Sequence, residues 1–184
     1  DADDVLALLD ENVAFVHLSA VDYRSAAIAD LVAITNAAHD AGALMIWDVS
    51  HAAGAIEIDL HAIDADFAVG CSYKYLNGGP GAPAWIWVNS RIHDELTTPI
   101  PGWMGHVDVF EMADEYAPAA GVRRFMTGTP SPLALAAVKG GISVIGEYGM
   151  PAMGSMPEMK GGGEVKAEGA GRYLVTYALP MQGD

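Results

Sequence analysis

The stretch Ile28-Ala29-Asp30-Leu31-Val32-Ala33-Ile34-Thr35-Asn36-Ala37-Ala38-His39-Asp40-Ala41-Gly42-Ala43-Leu44-Met45-Ile46-Trp47-Asp48 decides the fold. Apolar residues at Ile28, Leu31, Val32, Ile34 and Ala38 recur close to the 3.6-residue period, which predicts a helix from Ser25 to Ala41 that Gly42 stops. Ala43 to Trp47 then forms an unbroken apolar run ended by Asp48, the pattern of a buried strand. The same grammar extends outward. Val13–Leu18 precedes the helix as a strand, and Phe67–Cys71 and Ala84–Val88 follow as two more. Pro132 to Tyr148 reads as a further helix, with Leu133, Leu135, Ala136, Val138, Ile142 and Ile145 as its buried stripe. Apolar strands without clean alternation, separated by amphipathic helices, predict an α/β fold: a mostly parallel sheet with helices on both faces.

Composition bounds the function. The chain has 184 residues, 52% of them hydrophobic and 18% charged, enough for one domain with a real core. Nine Lys and Arg against 24 Asp and Glu give a net charge of −15, the wrong footprint for nucleic acid or an anionic membrane. No apolar run approaches the ~20 residues of a spanning helix, and no basic region followed by an apolar stretch opens the chain. A cytoplasmic protein is the expectation. The single cysteine, Cys71, excludes a disulfide framework and a cysteine-rich zinc site, and reads as a small buried core residue. Residues 1–149 are the organised part. From Met150 to Gly171 the sequence is rich in Gly, Met and Pro and reads as loop, with a β-like stretch Tyr173–Tyr177 after it, so 150–184 is set apart as a tail.

In open α/β sheets, ligands sit outside the carboxyl ends of the strands. Asp48 ends one strand there, followed by Val49-Ser50-His51. The next ends in Ser72-Tyr73-Lys74-Tyr75 and then Leu76-Asn77-Gly78-Gly79-Pro80-Gly81. Lys74 is the first lysine of the chain, and Arg24 is the only other cation before it. A lysine leaving the sheet for solvent is the plain reading. Near a low-dielectric strand end, however, a lysine loses its proton more easily and becomes a Schiff-base candidate. Pyridoxal phosphate (PLP) needs such a lysine and an acid for its ring nitrogen, which Asp48 can supply. His51 and the Tyr73 hydroxyl stand beside these two as phosphate donors. A metal reading of Asp48 with His51 lacks a third ligand, so no metal is expected.

The blocks Trp47-Asp48-Val49-Ser50-His51-Ala52-Ala53-Gly54 and Cys71 to Gly81 closely resemble kynureninase. So do Gly102-Trp103-Met104-Gly105-His106 and Phe125-Met126-Thr127-Gly128-Thr129-Pro130, while Val21-Asp22-Tyr23-Arg24 looks like the family's segment before the Asp. The resemblance runs from about residue 5 to 149, in the family's order, and makes 1–149 part of a PLP-binding large domain. It implies that Lys74 attaches the cofactor and moves protons, that Asp48 pairs with the pyridine nitrogen, and that His51 and Tyr73 hold the phosphate side. Tyr73 is also the family candidate for the base that activates water. Trp103 and Thr129 correspond to residues that reach the cofactor from the other subunit of a homodimer, and His106 falls near the substrate ring. The implied reaction is hydrolysis of L-kynurenine, or 3-hydroxykynurenine, to anthranilate, or 3-hydroxyanthranilate, and L-alanine.

Other PLP enzymes of this fold, the cysteine desulfurases and aminotransferases, share the Asp and Lys but usually carry His before the lysine. They lack the Gly-Trp-x-Gly-His block. A non-catalytic fragment that binds a partner is the other alternative, because family segments for the phosphate loop and the substrate carboxylate have no match here. Apolar pairs such as Phe15/Val16 and Trp85/Trp87 are then expected to lack some packing partners. Among the remaining histidines, His17, His39, His61 and His93 read as packing or surface residues.

Overall fold

The computed structural model describes residues 2–148, 162–168 and 172–178. After a short helix α1 (Ala2–Leu6), strand β1 (Phe15–Ser19) leads through helix α2 (Leu31–Asp40) into β2 (Leu44–Asp48). Strands β3 (Phe67–Cys71) and β4 (Ala84–Val88) follow, and helix α3 (Pro132–Tyr148) comes after three 3₁₀ turns. The sheet order is β1-β2-β3-β4, parallel from β1 to β3 and antiparallel at β4. The mostly parallel sheet read from the apolar runs is the sheet that forms.

Burial alternates along these strands although their sequences do not. Val16, Met45, Trp47 and Ala68 point to one face and are buried there against Ile34, Thr35 and Ala38 of α2. Burying the Trp47 indole costs little because its Nε1 donates to Thr35 Oγ1 at 3.0 Å. The other face carries Phe15, Leu44 and Ile86, which are exposed. The apolar pairs expected to be short of partners therefore divide by face. Val16 is buried and Trp85 and Trp87 pack on the core, whereas Phe15 stands open.

Three local readings change. Helix α2 begins at Leu31, not Ser25, because Asp30 caps it by accepting from Ala33 N at 3.0 Å, while Val21 and Ile28 pair as an antiparallel bridge. In α3, Leu133, Leu135 and Ala136 are exposed, and the inward side runs through Val138, Gly141, Ile142 and Ile145. That side seats on the loop after β3: a Cβ on Gly141 would collide with the Leu76 carbonyl. In the tail, Gly162–Glu168 is strand β5 rather than loop, paired antiparallel with β6 (Arg172–Ala178), which contains the expected Tyr173–Tyr177. The rest of the tail lies outside the described residues.

Candidate active site

Because β1, β2 and β3 are parallel, Ser19, Asp48 and Cys71 end at one rim of the sheet, where β4 starts at Ala84. The register sets Ser19 opposite Asp48 and Cys71 opposite Ala84. Asp48 is half-buried, and its Oδ1 accepts from Ser50 N at 2.8 Å. The second carboxylate oxygen has no hydrogen-bond partner among the described residues. Lys74, also half-buried, lies with its ammonium 5.5 Å from the centre of the Tyr73 ring and has no carboxylate partner among them. His51 has no ring hydrogen bond either; its imidazole stacks on Tyr23, centroids 6.0 Å apart at 27°.

A second acid at the opposite sheet end gives the contrast. Asp66, fully buried, accepts from Met45 N at 2.6 Å, lies 2.9 Å from His39 Nε2 and pairs with Arg91. Burial pushes its pKa up, but these three partners outweigh burial and hold the carboxyl below the usual carboxylate value. Asp66 is saturated and structural. Asp48 and Lys74, by contrast, have no ion-pair partner among the described residues and lie at or just past the carboxyl ends of the parallel strands.

Glycines fix how these segments meet. A Cβ on Gly54 would stand 2.7 Å from the Tyr75 carbonyl oxygen, so the segment after Asp48 packs directly on the segment carrying Lys74. A Cβ on Gly78 would meet Ser72 O and Val138 Cγ2, each at 2.8 Å, which ties the same loop to α3. The Asn77–Gly81 run is thus a turn with a packing role.

The two later blocks pack on each other. Gly102 leaves no room for a Cβ against the Thr127 backbone, and Gly105 would place one 2.7 Å from the Arg124 carbonyl oxygen. Arg123 donates to the carbonyls of His106 and Val107, both at 2.7 Å, and Arg124 is buried on Ala119, His93 and Leu96 carbonyls and Asp94. This frame holds Trp103 half-exposed beside Phe110 and leaves Thr129 exposed. His106 is buried in its own loop, Nδ1 2.7 Å from the Asp108 carbonyl oxygen and the ring edge-on to Tyr116. No hydrogen bond, ion pair or ring contact joins Trp103, His106 or Thr129 to Asp48, His51, Tyr73 or Lys74 among the described residues. Asp48 and His51 thus lie at the end of β2 and Tyr73 and Lys74 just past the neighbouring β3, and among the described residues no hydrogen bond, ion pair or ring contact joins the two pairs either.

Residues 1–160 match the family model of the aminotransferase class-V proteins. The chain belongs to the aminotransferase class-V family. Within this family it is 49% identical to a kynureninase of Deinococcus radiodurans over 143 residues, covering 78% of this chain and 35% of that protein. A kynureninase of Pseudomonas fluorescens is 41% identical, covering 79% and 35%. The chain thus spans little more than a third of the curated relatives it matches. In fold it is similar to a cysteine desulfurase of Thermococcus onnurineus, with TM-score 0.65 and 24% identity over 81% of this chain and 36% of that one.

Two residues near this rim were not singled out for a role by a reading along the chain. Ser19 ends a strand quietly, and only the β1–β2 register puts it beside Asp48. Tyr23 sits in an exposed loop whose position over His51 is a tertiary fact. The remaining histidines behave as read: His39 joins the Asp66 cluster, His61 packs edge-on to Trp87, and His93 contacts the Val88 carbonyl. Cys71 is half-buried rather than core, with its Sγ 3.9 Å from the Ser50 carbonyl oxygen, because it faces the open side of the sheet.

Proposed function

We propose that residues 1–149 are the central part of a PLP-binding large domain and that the whole protein hydrolyses L-kynurenine, or its 3-hydroxy form, within tryptophan catabolism. The observation carrying this is the pair of unspent charges, Asp48 and Lys74, at the carboxyl rim of a class-V sheet. The 49% identity to a kynureninase supports that reaction over that of the cysteine desulfurases, which share the fold.

The donor set suits PLP. Lys74 would attach it, the free Asp48 oxygen would serve its ring nitrogen, Tyr73 and His51 would serve the phosphate, and Trp103 and Thr129 would be offered to the second subunit of a homodimer. When bound, PLP supplies an electron sink for the pair released at the substrate α-carbon. Lys74 takes the α-proton and returns protons later. The Asp48 carboxylate would keep the ring nitrogen protonated, with the Ser50 N–H bond to Oδ1 orienting the carboxylate and leaving its other oxygen for that role. Tyr73, exposed at the rim, would take a proton on its oxygen from the water that adds to the γ-carbonyl as its own phenolic proton passes to the cofactor phosphate it serves. Cleavage between Cβ and Cγ then yields anthranilate and L-alanine. A cytoplasmic location fits a helix set in which, among the described residues, none is long and apolar enough to cross a membrane.

The open sheet face of Phe15, Leu44 and Ile86 favours a second reading, a non-catalytic piece that binds a partner. Adding PLP and recording the absorbance of a lysine adduct, with anthranilate release measured in parallel, separates the two. An adduct and product support hydrolysis; neither, with the chain folded, leaves the binding piece.

A further inference from the structure

The loop after β1 is built with more care than an exposed connection needs. Val21 and Ile28 bridge its ends, Asp22 N donates to Ala27 O at 2.9 Å, and Ala26 N returns to Asp22 O at 2.8 Å. The Asp22 carboxylate accepts from Arg24 N at 2.7 Å and Ser25 N at 2.9 Å. Ala26 takes a left-handed φ of +58°, a conformation that a residue with a Cβ adopts only when its surroundings hold it. What this framework presents is Tyr23 and Arg24.

Neither serves the core. Tyr23 is 69% exposed. Its ring lies over the His51 imidazole, and its hydroxyl accepts from Arg24 Nε at 2.9 Å while the guanidinium carbon stands 5.4 Å from the ring centre. Arg24 makes no ion pair with a carboxylate among the described residues, in a chain of net charge −15. His51, for its part, has no hydrogen bond to its ring, so an imidazole in its position is free to change rotamer unless the stack restrains it.

We propose that Tyr23, pinned by Arg24, is a positioning residue that holds the His51 imidazole in the orientation the cofactor phosphate requires. The proposal deepens the PLP reading and rests on it for the phosphate. The chain of contacts is continuous: Asp22 shapes the loop, Arg24 locks the Tyr23 ring, and that ring sets His51, three residues beyond Asp48.

The test uses the chain with ¹³C,¹⁵N-labelled histidine and no cofactor, the His51 signal being assigned with His51→Gln. Ring stacking shifts the His51 ring protons upfield. Tyr23→Ala is expected to abolish the shift, and Tyr23→Phe and Arg24→Gln, each of which removes the bond from Arg24 Nε to the Tyr23 hydroxyl, to weaken it, all with the melting temperature of the parent. The second arm compares binding of PLP with that of pyridoxal, which lacks the phosphate. Tyr23→Ala is expected to cut the preference for PLP by roughly fivefold, the size of one exposed ring contact, and Tyr23→Phe, which keeps the ring but not the pinned hydroxyl, to cut it by less. A His51 signal indifferent to Tyr23→Ala overturns the proposal. So does a lost shift with the phosphate preference intact. Failure of the parent to bind PLP at all defeats the cofactor reading instead, and the proton shift still decides whether Tyr23 positions His51.

Discussion

Gly54 packs beneath the carbonyl of Tyr75 so closely that a Cβ there would stand 2.7 Å from its oxygen. Asp48 and Lys74 are therefore spaced by backbone lying on backbone, not by adjustable side chains. Gly54 also holds φ +86°, whereas Gly42, at φ +81°, has open space around its missing Cβ. The two glycines separate strain from collision. Gly42→Ala is expected to cost about 1 kcal/mol for the left-handed backbone alone. Gly54→Ala adds the collision and is expected to cost about 3 kcal/mol, with weaker PLP attachment. Thermal melting of both variants measures it; equal costs would mean that the two segments are not coupled.

Lys74 is expected to carry the cofactor. Borohydride reduction after PLP addition, followed by peptide mapping, should place the pyridoxyl label on the peptide containing Lys74. Lys139, on the exposed side of α3, and Lys160 and Lys166, in the tail, are the competitors. A label concentrated on any of these would overturn the assignment.

Asp48→Asn keeps an oxygen for the Ser50 N–H and removes the charge. In a protein with the relatives' full length, turnover is expected to fall by about a hundredfold or more while cofactor attachment and melting temperature hold. Near-normal anthranilate release from this variant would remove Asp48 from the chemistry.

The strands were legible because long apolar runs survive any context, and Phe67–Cys71 and Ala84–Val88 form as read. The placement of Asp48, His51, Tyr73 and Lys74 at or just past strand ends was legible because parallel strands bring their carboxyl ends to one rim. Facing was not legible. Leu133 and Leu135 are as apolar as Ile145, yet the Leu76–Asn77 loop chooses which side of α3 is covered. The start of α2 was lost for a similar reason: the periodicity ran back through Ile28, and the bridge to Val21 pulled that residue out of the helix. Ser19 carries no local signal, and for Tyr23 the Val21–Arg24 resemblance marked the segment but not the stack on His51, since each gains its place from a neighbour distant in sequence.

The last prediction concerns acid stability and Asp66. Its pKa is pushed up by burial but pulled down further by Met45 N–H, His39 and Arg91, so the folded value lies below that of the unfolded chain, ~3.9. A group lowered in this way contributes stability that is fully present above the unfolded value and is lost as pH falls through the folded one. Asp66→Asn removes that contribution while Arg91, exposed, keeps its pair with Asp64, so the expected cost near neutral pH is about 1–2 kcal/mol. Many other carboxylates titrate in the same range, so the informative quantity is the gap in melting temperature between parent and variant. The gap should be constant well above pH ~4 and narrow below it, as the parent's carboxylate takes up its proton. A gap that stays constant, or widens, down to pH ~2 would show that the Asp66 cluster does not stabilise the fold through its charge.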